Sequence, residues 1–399
     1  MADTWRNWSG SVAFRPAVFA EPDCEDTLAS LLRETHRRGG MVRCVGAGHS
    51  ASRILRCDDT LVSMKHLSGV ISVDRARCEA TVHAGTELET LGEDLYEHDL
   101  ALPNYGDVAT QTIGGAIGTG THGTGPAQQN LSQMMVGARM VLADGRILEI
   151  GRDDDDLLRA ARVAMGTLGA LSTVTLRLVP AFDVERREYA TSTDATLANL
   201  DALNADNRSF DFYWYPRRDD IKLRLVNAVG GGTRLLPYAR ELTRQEGYGH
   251  KVIPTHSGIP HRFEECEYAL PAAAGPACFR EIRQRIIRCW RHVVGWRVLY
   301  RTVAADDADL SPAHGRETVT ISLHQNHRLP WRAFFADIEP VFLAFEGRPH
   351  WGKKHRLRAD ALAPRYPRWR QFHRVRDRLD PHGTFLTPHL RRLLGITGP

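Results

Sequence analysis

Paired cysteines are missing from this chain. Its seven cysteines stand apart at 24, 44, 57, 78, 266, 278 and 289, with no C-x-x-C among them. The odd count and scattered spacing exclude a disulfide framework and a paired-cysteine zinc site, so reduced, mostly buried thiols and no metal are expected. An excess of one charge is missing too. The 52 Lys+Arg nearly balance the 48 Asp+Glu, for a formal net charge of +4. That leaves no basic stripe for a nucleic-acid partner. No apolar run approaches the roughly 18 residues that a membrane-spanning helix needs. The opening MADTWRNWSGSV lacks a basic segment followed by an apolar stretch, so it does not read as a secretory signal and a cytoplasmic protein is expected. No G-x-G-x-x-G follows the first strand, which counts against a Rossmann dinucleotide fold. Internal repeats and low-complexity tracts are also absent.

What is present is an alternation of helical and strand patterns over the first 180 residues. Leu28, Leu31 and Leu32 have the i, i+3, i+4 spacing of a helix over 26–38. Strands are expected at 42–45, 61–64, 79–84 and 171–178, and helices at 87–98 and 153–163. The stretch 134–150 reads as a hairpin closed by Asp144-Gly145. Four aspartates, 153–156, lead the helix whose N-terminus they favour. After Pro180 the pattern changes to apolar strands (210–215, 221–226), a glycine loop at 230–232, a break at 257–260 and an arginine-rich helix over 276–292. A last helix is expected over 367–379. The fold class is α+β, with segments 1–180, 181–345 and 346–399.

Two glycine-rich runs carry the chemistry. Val45-Gly46-Ala47-Gly48-His49-Ser50 follows a short strand and sets a histidine in a glycine turn. Gly114 to Gly125 is the second run, GGAIGTGTHGTG. Glycine lets a backbone approach a ligand closely and aim N–H groups at phosphate oxygens. Two such loops suggest a cofactor with a diphosphate.

These runs belong to an ordered series: Asn7-Trp8-Ser9-Gly10, 45–50, 114–125, Gly166-Thr167-Leu168-Gly169, Glu267-Tyr268-Ala269-Leu270-Pro271, 300–307 and 348–355. The series resembles the vanillyl-alcohol-oxidase or PCMH-type FAD-linked oxidases. Within them it is similar to the sugar-1,4-lactone and alditol oxidase branch, over nearly the whole chain. The resemblance implies an FAD-binding domain made from residues 1–180 and the returning tail 346–399. An α+β cap domain at 181–345 would supply most of the substrate side. It implies FAD held by Val45, Gly46, Ala47, Gly48, His49, Ser50, Gly106, Thr112, Gly114, Gly115, Gly118, Thr119, Gly120, His122, Gly123, Gly169 and Lys353, with a covalent bond from His49 to the flavin 8α-methyl carbon. The implied reaction passes hydride from a carbinol carbon of a polyol, sugar lactone or related alcohol to the flavin, which molecular oxygen reoxidises.

Site roles follow from the same resemblance. Arg301 matches an active-site arginine whose fork of donors suits a developing oxyanion. Lys353 matches a lysine near the flavin's pyrimidine end. Gly106 matches a gate position where glycine leaves room for dioxygen, and Asp107 falls where alditol oxidases place a substrate-touching serine. The family's glutamate two residues before the arginine is Leu299 here. A buried arginine without a partner is costly, so a substitute is expected: Glu267, Glu265, Asp107, His324 or His355. Leu299 is consistent with a less hydroxylated or differently shaped substrate. Asp306-Asp307 is expected to cap a turn before Leu310.

Overall fold

The computed structural model describes residues 3–233, 235–255 and 261–397, so the break expected at 257–260 lies outside the described residues. The leucine stripe forms helix Glu25–Arg37, burying Leu28, Ala29 and Leu32. Strand Val42–Val45 and strand Val18–Ala20 flank Thr60–Ser63 in a parallel sheet. A five-stranded antiparallel sheet follows in the order Ile147–Ile150, Met135–Val141, Ala170–Arg177, Glu79–His83, Val70–Asp74. Its first hairpin turns at Asp144-Gly145, where Gly145 has φ +82°, a left-handed value that glycine adopts without strain. Trp351, Tyr366, Phe372 and Leu390 from the end of the chain share one apolar core with Ile113, Met140 and Leu176. The tail therefore packs against the beginning.

The middle of the chain builds an eight-stranded antiparallel sheet. Its order is Ala239–Tyr248, Asp183–Ser192, Asp220–Ala228, Ser209–Tyr215, Val298–Val303, Thr318–Asn326, Phe263–Pro271, Arg348–Pro349. Apolar pattern marks only two of these strands in the sequence. The others mix polar with apolar residues, and the edge strand Ala239–Tyr248 is exposed along nearly its whole length. On one face Phe212 stacks on Tyr300 at 4.7 Å, and Phe279 of helix Gly275–Cys289 meets both edge-on. Tyr268 stacks on Phe342 of helix Trp331–Ala344. Burying an aromatic ring in this way is worth about 2 kcal/mol. The arginine-rich helix stops at Cys289, three residues short of its expected end.

The strand period of two then sends the alternate residues to the opposite face. Glu267 pairs with Ser322, Ser322 with Leu299 and Leu299 with Tyr213 in one row across four strands. Arg301 stands opposite Asp211 on one side and Thr320 on the other. Glu265 pairs with His324. Asp306 caps its turn: Oδ1 accepts from Ala308 N at 3.2 Å and Oδ2 from the Ser311 hydroxyl at 2.6 Å.

Candidate active site

A cleft of about 450 Å³ runs along both glycine loops and the polar face of the large sheet. The loops touch. A Cβ on Gly46 would stand 1.9 Å from Thr112 Oγ1, so no side chain fits there. The N-terminal segment clamps the first loop, with Trp8 N donating to Gly48 O at 2.9 Å and Asn7 Nδ2 to Ser50 O at 3.0 Å. Gly48 takes φ +70°. Among the described residues, no acceptor stands against the backbone N–H groups of Ala47, Gly48 and His49. Unpartnered amides are costly unless a ligand takes them, and a run of them is a cradle for an anionic group. A Cβ on Gly118 would meet nothing within 4 Å, so the second loop is also open to the cleft.

His49 is held on two sides. Its ring stacks on Trp8, with centroids 5.5 Å apart and planes 23° apart. The Thr110 hydroxyl lies 2.9 Å from Nε2, and Nδ1 has no recorded partner among the described residues. Burial, reinforced by the Lys353 charge, pushes the His49 imidazolium down to about 4. The ring is thus neutral near pH 7, the form with a nucleophilic lone pair.

The sheet supplies a buried ionic cluster. Arg301 Nη2 donates to Glu267 Oε2 at 2.8 Å, the Ser322 hydroxyl donates to the same oxygen, and His122 Nε2 lies 2.6 Å from Oε1. Burial works to raise the Glu267 carboxyl, but His122 and Arg301 outweigh it and hold the group well below its ordinary value. Burial likewise opposes the Arg301 charge, yet Glu267, Asp107 and Glu265 keep that guanidinium above its ordinary value. Lys353 Nζ meets Glu265 Oε2 at 2.5 Å, and His324 Nε2 lies 3.4 Å from Oε1. A third group surrounds Asp107, which accepts from the Tyr213 hydroxyl at 2.8 Å and from Arg224 Nη2 at 3.1 Å. Arg224 is itself forked onto Asp211, and Arg297 lies over the Tyr213 ring at 3.9 Å.

Most residues singled out in the sequence line this cleft: Val45 to Ser50, Gly106, Asp107, Thr112, Gly114, Gly115, Gly118, Thr119, His122, Gly169, Arg301 and Lys353. Three stand behind the lining. Gly120 ends helix Ile113–Thr119 at φ +71°. Gly123 is packed against Tyr105, whose carbonyl a Cβ would approach to 2.3 Å. Glu267 touches the cleft only through Arg301 and His122. Of the partners expected for Arg301, Glu267 makes the ion pair and Glu265 joins Lys353 instead. Tyr213, Arg224, Arg297, Ser322 and His350 were not singled out. Their signal is the strand period: Asp211 with Tyr213, Arg297 with Arg301 and Ser322 with His324 are each an even number of residues apart. His122, Glu267 and His350 offer ligand atoms within 4.8 Å of one another. Arg301 already donates to the same carboxylate, so a cation bound there would be repelled by a fixed positive charge.

Known families and proteins match along most of the chain. A family model described as an FAD binding domain matches residues 16–151, and one described as D-arabinono-1,4-lactone oxidase matches 174–252 and 234–393. The chain is 35% identical to L-gulono-1,4-lactone dehydrogenase of Mycobacterium tuberculosis, over 99% of this chain and 100% of that one. It is 30% identical to alditol oxidase of a Streptomyces species, with the same coverage of both chains. In structure it is similar to cholesterol oxidase from B. sterolicum, with a TM-score of 0.84 over 98% of this chain and 96% of that one, at 16% identity.

Proposed function

The chain belongs to the D-arabinono-1,4-lactone oxidase family of FAD enzymes, and from that premise we propose that it oxidises a carbinol carbon of a sugar-derived alcohol or aldono-1,4-lactone, with dioxygen as the electron acceptor. The observation that carries the reading is that His49, Gly106, Arg301 and Lys353 all line one cleft. When bound, FAD supplies the hydride acceptor. The free amides of Ala47, Gly48 and His49 suit its diphosphate. The neutral ring of His49, with Nε2 turned to Thr110, offers Nδ1 for a covalent bond to the flavin 8α carbon.

The remaining roles belong to side chains of the sheet. Arg301, fixed by Glu267, presents its remaining donors to the substrate hydroxyl oxygen, where negative charge grows as hydride leaves. Lys353, fixed by Glu265, adds a second cation. Asp107 keeps a carboxylate at the cleft wall to accept a hydrogen bond from a substrate hydroxyl. Positioning of this kind contributes by replacing random encounter with a fixed approach.

Gly106 supports dioxygen as acceptor. A Cβ there would stand 3.3 Å from Thr121 Cγ2 and 3.5 Å from His122 O, filling the small space that glycine leaves. A second reading, with another acceptor, is favoured by the likeness to a lactone dehydrogenase. One experiment separates them. The purified holoenzyme is reduced anaerobically with alditols, aldonolactones and aldoses in turn, then mixed with air-saturated buffer. Rapid bleaching followed by rapid return of the yellow flavin with peroxide release supports the oxidase. Rapid bleaching with slow return supports the other acceptor. A colourless folded protein sinks both.

A further inference from the structure

His122 lies in the second glycine run, beyond the left-handed turn at Gly120 that ends helix Ile113–Thr119. Its side chain is buried and lines the cleft beside Gly106. Both ring nitrogens face oxygen. Nδ1 is 2.8 Å from the carbonyl oxygen of Gly123, and Nε2 is 2.6 Å from Glu267 Oε1. A backbone carbonyl only accepts, so Nδ1 must carry a hydrogen. Glu267 Oε2 already accepts from Arg301 and Ser322, the pattern of an ionised carboxylate. A neutral His122 with its hydrogen on Nδ1 would then aim a bare lone pair on Nε2 at the lone pairs of Oε1. A hydrogen between Nε2 and Oε1 satisfies that contact, and the Arg301 guanidinium on the same carboxylate favours the ionised acid, which leaves that hydrogen on the ring.

We propose that His122 is a buried imidazolium, and that His122 and Arg301, sharing the single charge of Glu267, leave one net positive charge beneath the cleft as the counter-charge for the anion formed there. The neighbours agree with the count. The His350 ring lies 6.0 Å from that of His122 between centroids. Its Nδ1 accepts from Gly352 N at 3.0 Å, and burial pushes it down to about 3, so it adds no charge. On the same sheet face Glu265 is matched by Lys353, and the two carboxylates Asp211 and Asp107 are balanced by Arg224 and by Arg297, which lies over the Tyr213 ring. His122 is thus a positioning residue acting by its field. Because both nitrogens are engaged, it does not bind the substrate through them. The field part of this inference rests on the FAD reading above, while the charge of His122 does not.

Two measurements on the full-length holoenzyme test it. The first is histidine-selective ¹⁵N NMR, with the His122 signals assigned by their loss in His122→Gln. Two equivalent imidazolium-type nitrogens at pH 7 are expected. One protonated and one bare nitrogen at pH 7 overturns the inference. In Glu267→Gln the same ring is expected to become neutral by about pH 7. Should His122→Gln not fold, that spectrum still decides, because only the ring bonded to Glu267 changes. The second is titration with sulfite, which adds to a bound flavin and leaves it negatively charged. His122→Gln with unchanged flavin content is expected to weaken sulfite binding on the order of tenfold. Unchanged sulfite affinity overturns the field role. A protein with the imidazolium but no flavin overturns the FAD reading and the field role, and leaves the charge assignment standing.

Discussion

Arg301 Nη2 lies 2.8 Å from Glu267 Oε2, although their two strands are separated by a third. The carboxylate reaches across Ser322, whose hydroxyl donates to it on the way. This pairing replaces the one that position 299 would supply if it held a carboxylate. Glu267→Gln is therefore expected to lower kcat/KM by roughly 100-fold or more, since the arginine loses the partner that aims it. It is also expected to destabilise the fold by about 3 kcal/mol, because a buried guanidinium loses its counter-charge. Steady-state kinetics and denaturant unfolding at matched flavin content check both. An unchanged kcat/KM would remove Glu267 from the machinery.

That relationship also marks what the sequence could and could not reveal. The glycine runs with His49 were legible because each is local: the spacing of glycines and the histidine fixes the turn. Arg301 and Lys353 were legible through the motifs around them. The sequence favours Glu267 over Glu265 as partner only through the Glu-Tyr-Ala-Leu-Pro motif around it, because the choice itself depends on strand register, and a shift of two residues would exchange them. The Asp107–Tyr213–Arg224–Asp211 group was hidden for the same reason. Its members lie 117 residues apart at the extreme and meet only because two strands, Ser209–Tyr215 and Asp220–Ala228, align beside the loop that carries Asp107. Strands Val298–Val303, Thr318–Asn326 and Phe263–Pro271 escaped the apolar pattern because one of their faces serves the cleft.

Covalent attachment is expected to depend on two residues that touch. His49→Ala should yield protein whose yellow colour is lost on acid precipitation, with FAD released intact. Thr110→Val removes the hydroxyl 2.9 Å from Nε2 and should slow attachment while leaving FAD bound, because the ring is no longer held with Nδ1 forward. The fraction of flavin remaining with the acid-precipitated protein reads both effects. Full retention in His49→Ala would refute the attachment site.

The same histidine sets a pH dependence. Its imidazolium is pushed down from 6.5 to about 4, so the nucleophilic neutral form persists as pH falls through the ordinary range. Lowering the pH from 7 to 5 is expected to leave the rate of attachment to added FAD nearly unchanged. The rate should fall to half only near pH 4, where the proton occupies the nitrogen. Apoprotein mixed with FAD over this range, quenched in acid at intervals, gives the rate directly. A fall centred near pH 6.5 would mean that the ring is not desolvated as described.

Gly106→Ala tests the acceptor. Gly106 is absent from the positive-φ glycines, so alanine brings no backbone strain there. Its methyl would press on Thr121 Cγ2 at 3.3 Å and His122 O at 3.5 Å. Reoxidation by dioxygen is expected to slow by roughly tenfold or more, with reduction by substrate changed much less, because a single methyl acts on access rather than on the cations. Stopped-flow measurement of the two half-reactions separates them. Equal slowing of both would indicate a general packing defect.

Leu299 tests the substrate. It is buried between Ser322 and Tyr213 in the row, two residues from Arg301, and puts a hydrocarbon surface where its neighbours are polar. A substrate hydroxyl placed against it would lose water without gaining a partner, which costs about 1–3 kcal/mol. A substrate carbon carrying only hydrogen there loses nothing. Leu299→Glu puts a carboxylate in reach of both that hydroxyl and Arg301. It is expected to raise the ratio of kcat/KM for a fully hydroxylated alditol over its deoxy analogue by about tenfold. The absolute rate on the deoxy analogue should fall, because the new charge competes with Glu267 for Arg301. A ratio that stays constant would show that position 299 does not face the substrate.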